Sequence, residues 1–168
     1  MPWPFNRGRA DEPEREPGPD PGRLEPVRVI TREADIRGFI APSDERLTDT
    51  LQRGQTLSIL PAGAEPTPSS WVEVSPAEVQ LVVPPPYVSP PERRLVRQLR
   101  EVVVRVGSYE LSGTAHLMPG AEQDVLARSS HPFLPLTDVA LFADGATEPE
   151  RLDVVIVNLR ETSEYRVV

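Results

Sequence analysis

Proline placement constrains this chain more than any other feature. Of 21 prolines, seven lie in residues 1–26 and five in the short run Pro84–Pro91, leaving nine for everything else. Proline lacks the backbone N–H and fixes φ, so neither dense stretch can sit inside a helix or a central strand. The chain is thereby cut into a tail, residues 1–26, a first folded region, 27–83, a stiff linker, 84–88, and a second folded region, 89–168. Each folded region is small enough to be marginal alone, so contact between them or association with other chains is expected to supplement their cores. A free linker of five residues spans at most ~18 Å, which points to a packed pair.

Residues 1–26 combine proline, glycine and mixed charge with almost no aliphatics, and are expected to be a disordered tail. Its start, Met1-Pro2-Trp3-Pro4-Phe5, carries one of only two tryptophans. Trp3 and Phe5 are therefore candidate docking residues, aromatic side chains on a tether that fill a partner's pocket.

The folded regions read as mainly β with short helices. Val27–Thr31 and Ile36–Ile40 alternate as a hairpin. Ser43 is placed to cap a helix bearing Leu47 and Leu51 on one face, with Gly54 at its C-terminal end. Thr56–Leu60, Trp71–Ser75 and Val79–Val83 complete five strands, the last two joined by a tight turn at Pro76. In the second region Ser89-Pro90-Pro91-Glu92 has capping-box spacing, and the helix it starts is expected to run to about Arg100. Strands follow at Val102–Val106, Tyr109–Ala115, Asp138–Phe142, Leu152–Val157 and Glu164–Val168, with a short helix at Glu122–Arg128.

The two regions repeat one another. Val27, Val29, Ile36 and Gly38 recur 75 residues later as Val102, Val104, Leu111 and Gly113. Asp49-x-Leu51-x-Arg53 recurs as Asp124-x-Leu126-x-Arg128. At a larger offset, Leu57, Ile59 and Leu60 fall on Val139, Leu141 and Phe142, and the loop Gly63-Ala64-Glu65-Pro66 falls on Gly145–Pro149. Val72, Val74 and Glu78 fall on Val155, Val157 and Glu161. An internal duplication is the expectation, with each copy closing its five strands into a small barrel that leaves no exposed edge.

The closing strand pair of each copy is similar to the strand–3-10–strand ending of SH3-like barrels. Val102–Ala115, alternating and then carrying Gly113, resembles the opening of the Sm-like fold. That resemblance implies a fold without the family's RNA site, which needs an Asp/Met-Asn loop and an Arg-Gly turn. Here the corresponding segments read Thr114-Ala115-His116-Leu117-Met118 and Asn158-Leu159-Arg160-Glu161. Phe133–Val139 also resembles a pattern in uncharacterised bacterial domains, which brings no activity with it.

Composition narrows the function classes. The net charge is −8, spread as −2, −3 and −3 over the tail and the two regions. Nucleic acid is a poor default partner, because such binding rests on cationic surface. All 18 basic residues are arginine, which reads as the coding bias of a G+C-rich bacterial genome. There is no cysteine, so disulfide and thiolate chemistry are excluded. With no apolar leader and no long apolar run, a cytoplasmic protein without membrane insertion is expected.

No motif for catalysis stands out. A zinc site at His116 or His131 would need two or three more ligands at fixed spacing, which without cysteine would have to be carboxylates, and Ser129-Ser130-His131 are neighbours only in sequence. No catalytic, cofactor-binding or metal residues are assigned. Arg93-x-x-x-Arg97 resembles the first motif of the cyclic-dinucleotide-binding PilZ domain, which would make Arg93 and Arg97 ligand-binding residues of a nucleotide sensor. The family's second motif is missing downstream, where the chain reads Gly107–Gly113. Pro84-Pro85-Pro86-Tyr87 spells a WW-domain ligand, beside its simpler role as a linker. The leading expectation is a non-enzymatic interaction, scaffold or adaptor protein with a protein partner or self-association. A PilZ-like sensor is the alternative.

Overall fold

The computed structural model describes residues 23–86, 98–117 and 131–168. The first half comprises β1 (Glu25–Thr31), β2 (Asp35–Ile40), α1 (Leu47–Gln52), β3 (Leu57–Pro61), β4 (Val72–Val74) and β5 (Val79–Val83). The second comprises β6 (Gln98–Val106), β7 (Tyr109–Leu117), β8 (Phe133–Ala143), β9 (Glu150–Asn158) and β10 (Thr162–Val167). The fold is mainly β, as the alternating apolar runs require.

All ten strands join one antiparallel sheet in the order β10-β6-β7-β8-β9-β5-β1-β2-β3-β4. The sheet is open, and this corrects the expectation of two closed barrels. The reason lies at β5. One of its edges pairs with β1, and the other is taken by β9 of the second half instead of closing onto β4. β4 and β10 are left as the outer edges.

The two halves run in the same internal order, fifth strand, first, second, third, fourth. Their registers agree in detail. Val27 and Val29 face Gly38 and Ile36 across β1–β2, while Val102 and Val104 face Gly113 and Leu111 across β6–β7. Val29, Ile30 and Thr31 face Val82, Leu81 and Val79, skipping Gln80. Val104, Arg105 and Val106 face Tyr165, Glu164 and Thr162, skipping Ser163. The same strand thus bulges at the same place in each half.

One correspondence read from the sequence is corrected. In the ladders Leu57 and Ile59 face Val74 and Val72, and the matching pairs are Leu134 with Val157 and Leu136 with Val155. Leu57 therefore stands where Leu134 does, not where Val139 does. The hairpin tips are alike: Ala64 N donates to Pro61 O at 3.0 Å, Ala146 N to Ala143 O at 3.0 Å, and Gly63 and Gly145 have φ of 84° and 77°. The sequence match locks onto these tips, while the extra residues lengthen the paired arms of β8–β9 behind them.

Other boundaries shift too. β1 starts at Glu25, two residues inside the expected tail; Pro26 fits because β5 runs beside β1 only from Arg28, leaving that edge open. Gln98–Arg100, expected as the end of a helix, extend β6 because β7 runs on to Leu117 and offers them partners. α1 starts at Leu47. Its cap residue is Arg46, with no side-chain cap, which corrects the expected cap at Ser43; Ser43 Oγ instead accepts from Glu45 N at 3.1 Å in the bend before the helix. Its end is a Schellman motif, with Gly54 N on Leu51 O, Gln55 N on Thr50 O, and Gly54 at φ 75°. Arg53 pairs through its guanidinium with Glu45, not with the Asp49 carboxylate. Residues 1–22 of the tail, the expected helix start at Ser89–Glu92, and the expected helix at Glu122–Arg128 with Asp124 and Arg128 lie outside the described residues.

Two cores flank the central strands, and each borrows from the other half. Successive strand residues point to opposite faces. On β5, Leu81 enters the core built by Val102, Val104, Leu111, Leu136 and Val157, while Val82 enters that of Val27, Val29, Leu51 and Ile59. On β9, Val157 and Ile156 divide the same way. That places Ile30 and Leu81 in the second half's core, and Phe133 and Ile156 in the first's.

Candidate functional site

The densest polar construction among the described residues is the seam where β5 meets β9. Its backbone ladder pairs Leu81 with Val157 and Val82 with Ile156. Asn158, only 3% exposed, sits at the end of β9 where the chain enters a 3-10 turn, Leu159–Glu161. Its Nδ2 donates to Val79 O at 2.7 Å, across the seam, and its Oδ1 accepts from Arg160 N at 3.1 Å. A buried amide with both ends engaged specifies its surroundings more tightly than an apolar contact would.

A second clamp comes from α1. The Gln52 amide reads the backbone of Phe133, with Nε2 donating to Phe133 O at 2.7 Å and Oε1 accepting from Phe133 N at 3.4 Å. Two arginines add to it. Arg28 forms a fork with Asp35, Nε and Nη2 to the two carboxylate oxygens at 2.9 and 2.8 Å, and its Nη1 reaches Glu150 of β9 at 2.7 Å. The Arg28 bonds hold the Asp35 carboxyl below its usual range, against a smaller opposing effect of burial. Arg32, on the β1–β2 turn, grips Glu161 through two bonds, one of 2.7 Å from Nε. Arg32 likewise lowers the Glu161 carboxyl, with a smaller contribution from Gln80. Gln80 is itself packed against the β6–β7 turn, where a Cβ on Gly107 would come within 2.7 Å of its Oε1.

The histidines and the surface recess are plainer. His116 lies on β7 with Nε2 2.9 Å from Thr137 Oγ1, a pairing across the ladder to β8. His131 is exposed just before Pro132. Among the described residues no three His, Asp or Glu side chains are grouped to hold a metal ion, and no helix is long and apolar enough to cross a membrane. A recess of about 200 Å³ opens at the β6–β7 and β8–β9 turns beside Arg105, Tyr109, Phe142 and Asp144. It is smaller than the ~300–1,000 Å³ of typical ligand sites, and the Arg105–Glu110 pair at 2.7 Å occupies its rim. The docking candidates Trp3 and Phe5 and the ligand candidates Arg93 and Arg97 lie outside the described residues.

Sequence reasoning located the turn at Asn158 and the cap at Gly54, but not the seam. Gln52, Asn158, Arg28 and Arg32 act on partners 79 to 129 residues away, and nothing local marks such a partner. The available signal was β5 itself, Val79–Val83, aliphatic at four of its five positions, a run that needs cover on both faces. Comparison with protein-family models, curated proteins and solved structures found no match to the chain.

Proposed function

We propose that this chain is a non-enzymatic interaction or scaffold protein: two β modules related by internal duplication, fused into one platform, with Trp3 and Phe5 carried ahead of β1 as a docking segment. What supports the duplication is the shared strand order, the shared registers and the bulges at Gln80 and Ser163. The observation that carries the function is the seam. Its buried amide, its amide–backbone clamp and its cross-half ion pairs fasten one module to the other. A platform of this kind holds two surfaces at a fixed spacing, which is what a scaffold contributes to its partners.

The test is affinity capture with the full chain, a form lacking residues 1–10, and a Trp3→Ala/Phe5→Ala variant. A protein recovered by the full chain should be lost with both altered forms, while the melting temperature stays unchanged. Equal recovery by all three forms would remove the docking segment from the account.

A further inference from the structure

We infer that the two outer edges of the sheet are copies of the seam, closed by charge to a second molecule. This rests on the duplication proposed above. The repeated registers place β10 where β5 stands in the first half, and β4 where β9 stands in the second. Leu81, Val82 and Val83 thereby match Glu164, Tyr165 and Arg166, while Val155, Ile156 and Val157 match Val72, Glu73 and Val74. A seam between molecules would set Glu164 against Val74, and Tyr165 against Glu73, of the next chain.

The side chains at those positions oppose it. In the seam Leu81 and Val157 are fully buried and extend the second half's core across the joint. The matching residue, Glu164, would push a carboxylate toward Val74 and the first half's core. Burying a charge without a fitted partner is strongly unfavourable. Glu164 now lies 3.7 Å from Arg166 on the same face of β10, with both side chains about half exposed. The pair would have to give up that solvation. Glu73 replaces Ile156, again putting an acid where the seam has a buried aliphatic residue. Ser75 replaces Asn158: its Oγ keeps the turn's cap on Ala77 N at 3.4 Å, but it has no amide to reach across.

Charges on edge strands are a known defence against edge-to-edge pairing. Here they fall on the residues that the internal joint makes apolar, while Val72 and Val167 remain 39% and 44% exposed beside them. The joint is heterologous, so an opened edge would propagate head to tail into rings or chains. Self-association, one of the partner classes expected from the sequence, is closed along this route.

The test measures mass by light scattering on the full chain. The natural chain should remain monomeric as concentration rises. Glu73→Ile/Glu164→Leu/Arg166→Val should at least double its weight-average mass in a concentration-dependent way. A natural chain that already assembles, or a folded triple variant that stays monomeric, overturns the inference. Register is read separately. The chain has no cysteine, so Glu73→Cys/Tyr165→Cys on a Glu164→Leu/Arg166→Val background should cross-link between molecules, whereas Phe39→Cys/Tyr165→Cys on the same background should not. Equal cross-linking of both pairs marks indiscriminate aggregation and also overturns it. If the triple variant fails to fold, Glu164→Leu alone is measured, with the same mass increase expected and a folded monomer counting against the idea. Capture through residues 1–10 is a different measurement, so the scaffold reading survives or fails independently.

Discussion

Gly38 and Gly113 occupy matching positions in β2 and β7, and both let a neighbouring strand come close. A Cβ built on Gly38 lies 2.2 Å from Leu60 O and 3.0 Å from Ile59 Cγ2. On Gly113 it lies 3.1 Å from both Thr137 O and Val139 Cγ2. The obstacle at Gly38 is backbone, held by the β2–β3 pair Phe39–Leu60, and it has little freedom to move. At Gly113 the neighbour is already a bulge, where Asp138 adopts φ 53° and the β7–β8 register shifts. Gly38→Ala should therefore cost about 3 kcal/mol or more, and Gly113→Ala about 1 kcal/mol, on the scale of overpacking penalties. Urea denaturation of the two variants measures the order, and a reversal would show that the first half bends its sheet somewhere else.

Among the elements, the turn between β9 and β10 has the sharpest chemical requirement. Asn158 needs a donor toward Val79 O and an acceptor toward Arg160 N. Asn158→Asp keeps the acceptor but sets a carboxylate oxygen against a carbonyl in a buried site. It should lose about 2–3 kcal/mol at neutral pH, within the range for unsatisfied buried polar groups and more than a neutral hydrogen bond alone. Part of that loss should return in acid, where the carboxyl protonates and donates again; Asn158→Ala should show no such recovery. Chemical denaturation of both variants at the two pH values decides it. Elements like β1, β5 and β9 were legible because their alternation or unbroken aliphatic runs follow from which faces are covered. β8 was legible only from Asp138 onward. Pro132 and Pro135 hid its start, and Pro135 is tolerated because it lies one residue beyond the last β7–β8 pair, Ala115–Leu136. Gln98–Arg100 read as helix because Leu95, Val96 and Leu99 have helical spacing; the partner strand that overrides that spacing is set by tertiary context. The seam was legible only as a need for cover on β5, not as a partner, since its clamps join residues whose proximity is decided by strand order.

For the whole molecule, the exchange of Ile30 and Leu81 for Phe133 and Ile156 between the cores means that neither half can open without stripping apolar cover from the other. Far-UV and near-UV signals should therefore follow a single coincident unfolding transition, and two separated steps would refute the coupling. The acid limb of that transition has a defined sign. Asp35 and Glu161 are both held below their usual carboxyl range, chiefly by Arg28 and Arg32. In the unfolded chain such groups take up protons near pH 4, while in the folded chain they resist doing so. Their contribution is thus complete above pH ~5 and is lost as pH falls through the folded values. The melting temperature should drop steadily below pH ~5 while the transition stays single. Arg28→Ala should lower it at neutral pH and flatten the acid limb, because the favoured ionisation of Asp35 goes with its partner. An acid limb of unchanged slope in that variant would show that carboxylates elsewhere govern acid unfolding.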